Sequence, residues 1–188
     1  VDLPVPLHYL GPLSRFFAGR EKTEIVYDLA VIISGPEPQR SIFEENILEQ
    51  LDETQLRSIV LSGKPEMAGQ TSKRGNTTVH SHLSTEKMQG VLRSSKLVIC
   101  RSGYSSIMDL AILDSRAVLI PTPGQTEQEY LAEYHLQKRH CYTIAQKDLR
   151  IEKAIAAARN YSGLSLRPDN EALNKNLKRL ISISRKQM

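Results

Sequence analysis

The sequence has no tryptophan, and its aromatic share is only 5% of 188 residues. A chain so poor in flat side chains offers no row of stacking platforms for single-stranded nucleic acid. Cysteine is nearly as scarce. Cys100 and Cys141 are the two present, both in strand-like surroundings where a thiol acts as a small buried hydrophobe. So low a count suits a reducing compartment rather than a disulfide framework. No apolar run reaches the roughly 18 residues a membrane span needs. The opening "VDLPVPLHYLGPLSRF" carries neither a signal-peptide pattern nor an initiator methionine. The expectation is a cytoplasmic fragment of a longer protein.

Acidic residues are missing from the end of the chain. Lys175, Lys178, Arg179, Arg185 and Lys186 follow one another without an acid between them and account for much of the net charge of +4. Such a tail suits phosphates or an anionic membrane surface, or is simply a solvated helix face. The remainder is near neutral, which with the few aromatics disfavours a nucleic-acid binder.

What is present is a rhythm. Residues 1–23 hold three prolines around a short extended piece, Leu7 to Leu10, and read as a linker or incoming connection. Residues 24–188 read as one domain. Apolar, β-branched runs of strand length fall at Asp28 to Ser34, Arg57 to Ser62, Thr77 to Ser81, Lys96 to Cys100, Ala117 to Ile120 and Tyr142 to Ala145. Helical spacing falls at Ser41 to Leu51, Thr85 to Arg93, Ser105 to Leu113, Glu127 to Lys138, Leu149 to Ala158 and Asn170 to Ile183. Residues 63–76 read as a loop, and Asp148 as a helix cap. Alternation of this kind predicts an α/β fold, a Rossmann-like, doubly wound parallel sheet of about six strands with a C-terminal helix. The expected strand order is 3-2-1-4-5-6, with ligands at the carboxyl edge near the switch point.

Two strand-to-helix junctions on that edge carry chemistry. In "VICRSGYSSIMDLA", the amides of Tyr104, Ser105 and Ser106 open a helix, where free N–H groups and a partial positive charge favour phosphate. Gly103 allows close approach to the backbone, the serines add hydroxyls, and Arg101 adds charge. An ordinary capped helix explains the same residues. Asp109 lies about one turn beyond Ser105 on a similar side, placed either to accept from a ribose diol or to sit on the surface. In "LIPTPGQTEQEYLA", Gly124, Gln125, Thr126, Glu127, Gln128 and Glu129 gather polar groups suited to sugar hydroxyls. Dipole compensation accounts for the two glutamates but not for the glutamines. His80 and His82 share a strand face at a spacing that can bind metal, but no further ligand stands near them in sequence, and no metal is expected.

Residues 98–132 resemble the carboxyl-terminal domain of family 28 glycosyltransferases of the GT-B fold. That family includes the bacterial N-acetylglucosaminyltransferase of peptidoglycan synthesis. The resemblance rests on Arg101, Ser102, Gly103, Asp109, Pro121, Gln128 and Tyr130 at matching spacings. It implies that Arg101 to Ser106 hold the diphosphate and that Asp109 grips the ribose. It further implies that the backbone at Leu83, Ser84 and Thr85 reads the base, usually uracil, and that residues 124–129 touch the sugar. The loop "SGPEPQR" stands where relatives have a glycine-rich phosphate loop, so Gly35 and Arg40 join the candidates. The activity implied is transfer of a sugar from a nucleoside-diphosphate sugar, with no cofactor or metal. An amino-terminal acceptor domain would supply the base and meet a lipid-linked or polysaccharide acceptor at a peripheral membrane site. The same fold half also serves nucleotide-sugar epimerases and hydrolases, or a binding subunit that needs a partner chain.

Overall fold

The computed structural model describes residues 12–18, 23–67, 69–166 and 170–184. The strands are β1 (Leu29–Ile32), β2 (Ser58–Leu61), β3 (Thr71–Arg74), β4 (Thr77–His80), β5 (Val98–Cys100), β6 (Ala117–Leu119) and β7 (Tyr142–Thr143). The helices are α1 (Gln39–Asp52), α2 (Thr85–Arg93), α3 (Tyr104–Ile112), α4 (Thr126–Gln137), α5 (Ile151–Ala158) and α6 (Asn170–Ser184).

One sheet runs β3-β4-β2-β1-β5-β6-β7. Apart from β3, the order is that of the expected six strands. All pairings are parallel except β3 with β4. The segment read as a loop at 63–76 therefore contains an edge strand. Its residues Thr71 to Arg74 are all exposed, so no apolar signal marks it. A two-residue turn at Gly75 and Asn76 folds it back on β4, with Gly75 at φ +57°, a conformation glycine adopts without strain.

Side chains alternate across the sheet with the period of two that a strand imposes. Leu29, Val31, Ile99 and Val118 meet Phe43, Ile47 and Leu51 of α1 and Ile151 and Ala154 of α5. Ala30, Val98, Cys100 and Leu119 meet Met88 and Leu92 of α2 and Ile107 and Leu110 of α3. Both faces are covered, which is why the central strands are apolar from end to end. Each fully buried Leu, Ile or Phe of this core contributes roughly 1.5–3 kcal/mol. Burial also pushes the Cys141 thiol up to about 12 and the Cys100 thiol higher still, so both are inert packing groups.

Two local expectations change. Asp148 does not cap α5. It ends a short 3-10 turn at Gln146–Asp148, and the residue preceding α5, Arg150, provides no side-chain cap. The cap comes from α1 instead: Gln50 Oε1 accepts from Ile151 N (2.9 Å), and Gln50 Nε2 donates to Leu149 O (3.1 Å). The incoming connection is also more than a linker. Phe16 is buried within the core on the α2–α3 side, and the carbonyl of Phe17 accepts from Gln89 and Arg93 of α2. The extended piece expected at Leu7 to Leu10 lies outside the described residues.

Candidate functional site

Because its core strands are parallel, the sheet delivers the candidate loops to one edge. Gly35 follows β1, Leu83 to Thr85 follow β4, Arg101 to Gly103 follow β5, and Gly124 to Thr126 follow β6. Gly35 has φ +106°, a left-handed conformation that favours glycine. Arg40 is drawn back against the loop: its guanidinium pairs with Glu37 (2.7 Å) and donates to Gly63 O (3.1 Å). Beneath it, Glu44 of α1 accepts from Ser62 Oγ (2.5 Å) and Lys64 Nζ (2.6 Å), fixing the loop after β2.

The start of α3 is open. Gly103 precedes the helix with no side-chain cap, and the first intrahelical bond runs from Ile107 N to Gly103 O (3.0 Å). The amides of Tyr104, Ser105 and Ser106 therefore have no partner within the helix. A Cβ built on Gly103 meets no atom within 4 Å, so the chain leaves open space beside the residue that precedes the helix. Ser105 is exposed and Ser106 half-buried. By contrast, Ser84 is a conventional helix cap, accepting from Lys87 N (3.4 Å).

Arg101 takes a different place from the one its sequence position suggests. It is 1% exposed and binds the chain itself. Nη2 donates to Gln146 Oε1 (2.6 Å) and Gln39 O (3.1 Å), and Nη1 to Pro121 O (3.3 Å) and Ile120 O (3.5 Å). The guanidinium lies 4.1 Å over the Phe43 ring. Burial lowers its pKa to about 10, so it stays charged at neutral pH and reaches the rim as a field. Its planar fork clamps the loops after β1, β6 and β7, a task an ammonium group cannot match. Ser102 is buried as well, and its hydroxyl donates to Gln128 O (2.7 Å).

Asp109 is likewise engaged. Oδ1 accepts from Ser14 Oγ (2.7 Å) and Oδ2 from Arg15 Nε (2.8 Å). The acid that spacing offers to a ribose thus holds the entering chain, and Ser14 and Arg15 join the rim. They are 95 and 94 residues away in sequence, and no local pattern announces them. In the loop after β6, Gln128 Oε1 accepts from Thr122 N (3.0 Å), Gln128 Nε2 donates to Gln125 Oε1, and Glu129 Oε1 accepts from Gly124 N (3.1 Å). These side chains shape the loop that carries them. Glu127 and Thr126 remain exposed. His80 Nδ1 lies 2.8 Å from Thr71 Oγ1, and His82 lies beyond the end of β4.

A cavity of about 650 Å³ lies between α3 and α4, with Tyr104, Ile107, Met108, Tyr130, Leu131 and His135 in its wall. It adjoins the rim at Tyr104, but an apolar lining is the wrong chemistry for a diphosphate.

A doubly wound sheet with an open helix start and a polar turn side by side at its carboxyl rim is the architecture of the carboxyl-terminal half of a GT-B glycosyltransferase. Solved structures agree on the fold. The glycotransferase of kitacinnamycin superposes over 92% of this chain and 44% of its own (TM-score 0.56, 16% identity). Acinetobacter baumannii MurG superposes over 92% of this chain and 51% of its own (TM-score 0.52, 16% identity). The sequence makes the assignment specific: residues 37–184 match the glycosyltransferase family 28 C-terminal domain, and the chain belongs to that family. It is 24% identical over 153 residues to a UDP-N-acetylglucosamine--N-acetylmuramyl-(pentapeptide) pyrophosphoryl-undecaprenol N-acetylglucosamine transferase of Sulfurihydrogenibium sp. (strain YO3AOP1), covering 79% of this chain and 41% of that protein. It is 30% identical over 89 residues to the enzyme of the same name from Gloeothece citriformis (strain PCC 7424), covering 44% and 25%. The chain spans less than half the length of these curated relatives.

Proposed function

We propose that this domain seats a nucleoside-diphosphate sugar, with UDP the favoured nucleotide, along the rim formed by the loops after β1, β4, β5 and β6. In the intact protein it would serve as the donor half of a glycosyltransferase that moves the sugar to an acceptor hydroxyl. The observation that carries this reading is the open start of α3. Three amides there have no partner within the helix, no side chain caps them, and the space beside Gly103 is open.

The chemistry is displacement of the diphosphate from the anomeric carbon. Amides fixed at a helix start stabilise the charge that builds on the leaving group and need no reorganisation to do so, and one such donor is typically worth ~3 kcal/mol. Ser105 and Ser106 add hydroxyl donors, and the backbone at Leu83 to Thr85 lies at the base end. Asp109 reaches a ribose only in exchange for its bonds to Ser14 and Arg15. Residues 124–129 lie at the sugar end. The catalytic base and the acceptor belong to another part of the protein, and no metal or cofactor enters the proposal. A lipid-linked acceptor is suggested by the pyrophosphoryl-undecaprenol in the names of the curated relatives, and with it the proposal includes a peripheral place at the cytoplasmic face of a membrane. No helix among the described residues is long and apolar enough to cross a membrane. Those relatives are named as transferases, which favours transfer over epimerisation or hydrolysis.

Gly103→Val tests the reading. Gly103 has φ −74° and open space at its Cβ position, so the valine variant folds and loses only the preference for glycine at a helix start, about 1 kcal/mol or about 2–4 °C in melting temperature. Isopropyl bulk over the three amides abolishes UDP binding in calorimetry, whereas Ser106→Ala weakens it modestly. Undiminished binding by the valine variant removes the site.

A further inference from the structure

Two buried polar atoms at this rim have nothing to bind. Among the described residues, the buried side-chain nitrogen and oxygen atoms without a hydrogen-bond partner are Arg101 Nε and Thr122 Oγ1. Thr122 is 1% exposed. Its backbone is fixed on both sides, since its N–H donates to Gln128 Oε1 (3.0 Å) and its carbonyl accepts from Gln125 N (3.1 Å). The hydroxyl is thereby held towards the loop after β1. There the neighbouring backbone is that of Gly35, whose hypothetical Cβ lies 3.6 Å from Thr122 Oγ1. Arg101 stands at the same place, bonded through Nη1 to Pro121 O and through Nη2 to Gln39 O.

An unpartnered buried hydroxyl costs about 1–3 kcal/mol. Valine would fill the same volume without that cost. Both orphan atoms carry a hydrogen to donate, and the adjacent guanidinium has no carboxylate partner among the described residues. Donors and an uncompensated positive charge together call for an anionic oxygen.

We propose that Thr122 is a diphosphate-binding residue, whose hydroxyl hydrogen-bonds to a diphosphate oxygen of the sugar nucleotide once the backbone at Gly35 moves aside. This assignment rests on the donor-binding reading above and adds to it a contact at the deep end of the rim. Gly35 is suited to the movement, because it already occupies a left-handed conformation and has no side chain to clear.

The experiment is calorimetric titration of the intact protein with UDP, UMP and uridine. If GDP or dTDP binds more tightly than UDP in an initial screen, the series takes that base. Thr122→Val keeps the shape and removes the hydroxyl, and Thr122→Ser restores it. The valine variant is expected to lose about tenfold or more in affinity for the diphosphate, to hold uridine unchanged, and to melt no lower than wild type. The serine variant regains the diphosphate affinity. Equal affinity of wild type and valine variant for the diphosphate overturns the proposal and leaves the donor reading standing. Equal losses for diphosphate and nucleoside overturn it too, since they mark a general disturbance of the loop. A wild-type protein that binds none of these compounds overturns both.

Discussion

Arg101→Met removes the guanidinium while keeping an unbranched stem above Phe43, and its cost can be worked from the contacts. Two bonds are well formed, to Gln146 Oε1 at 2.6 Å and Gln39 O at 3.1 Å, while those to Pro121 O and Ile120 O are long at 3.3 and 3.5 Å. Each buried acceptor that loses a good donor costs about 1–3 kcal/mol. The stacking on Phe43 adds about 2 kcal/mol where water is excluded. Against this, the variant no longer buries a cation without a carboxylate partner. The balance is a loss of about 3 kcal/mol. For a domain of this size each kcal/mol moves the melting temperature by about 2–4 °C, so a fall of about 6–12 °C is expected by calorimetry or circular dichroism. Arg101→Lys, which can satisfy only part of the set, melts in between. A methionine variant melting within about 2 °C of wild type refutes the view that this side chain ties the rim loops together.

Two further outcomes follow from the geometry. At Gly63, φ is +65° and a Cβ would stand 2.5 Å from Ile33 O, so Gly63→Ala loses at least about 2 kcal/mol in urea denaturation. Burial, and after it the neighbouring His140, lower the pKa of His135 below its ordinary 6.5. The unfolded chain then binds a proton where the folded chain does not, so stability falls as pH drops below about 6.5. His135→Leu flattens the pH dependence of the urea midpoint in that range.

The sheet was legible because its strands are short apolar runs separated by helical spacing, and burial on both faces leaves that signature whatever the distant contacts. β3 escaped for the opposite reason. An edge strand that buries nothing has no pattern to show, and its one local signal was the Gly75-Asn76 pair that turns it back on β4. At the rim, sequence spacing brought the candidate loops to one edge, because parallel strands fix which ends meet. It did not reveal what each side chain does there. Arg101 follows a strand, as a ligand-facing cation would, but the next position of the pleat turns it inward beneath α1. The engagement of Asp109 depends on Ser14 and Arg15, and the cap of α5 on Gln50. Contacts across so many residues leave no trace in local periodicity. Thr122 was passed over because threonine in a turn is ordinary. Only the geometry shows its hydroxyl to be both buried and idle.

The anchoring of residues 12–18 has a practical corollary for where this unit can be cut. A version starting at Thr23 would vacate the core position filled by the Phe16 ring and strip Asp109 of both its donors. The working edge of the domain therefore belongs at or before Pro12.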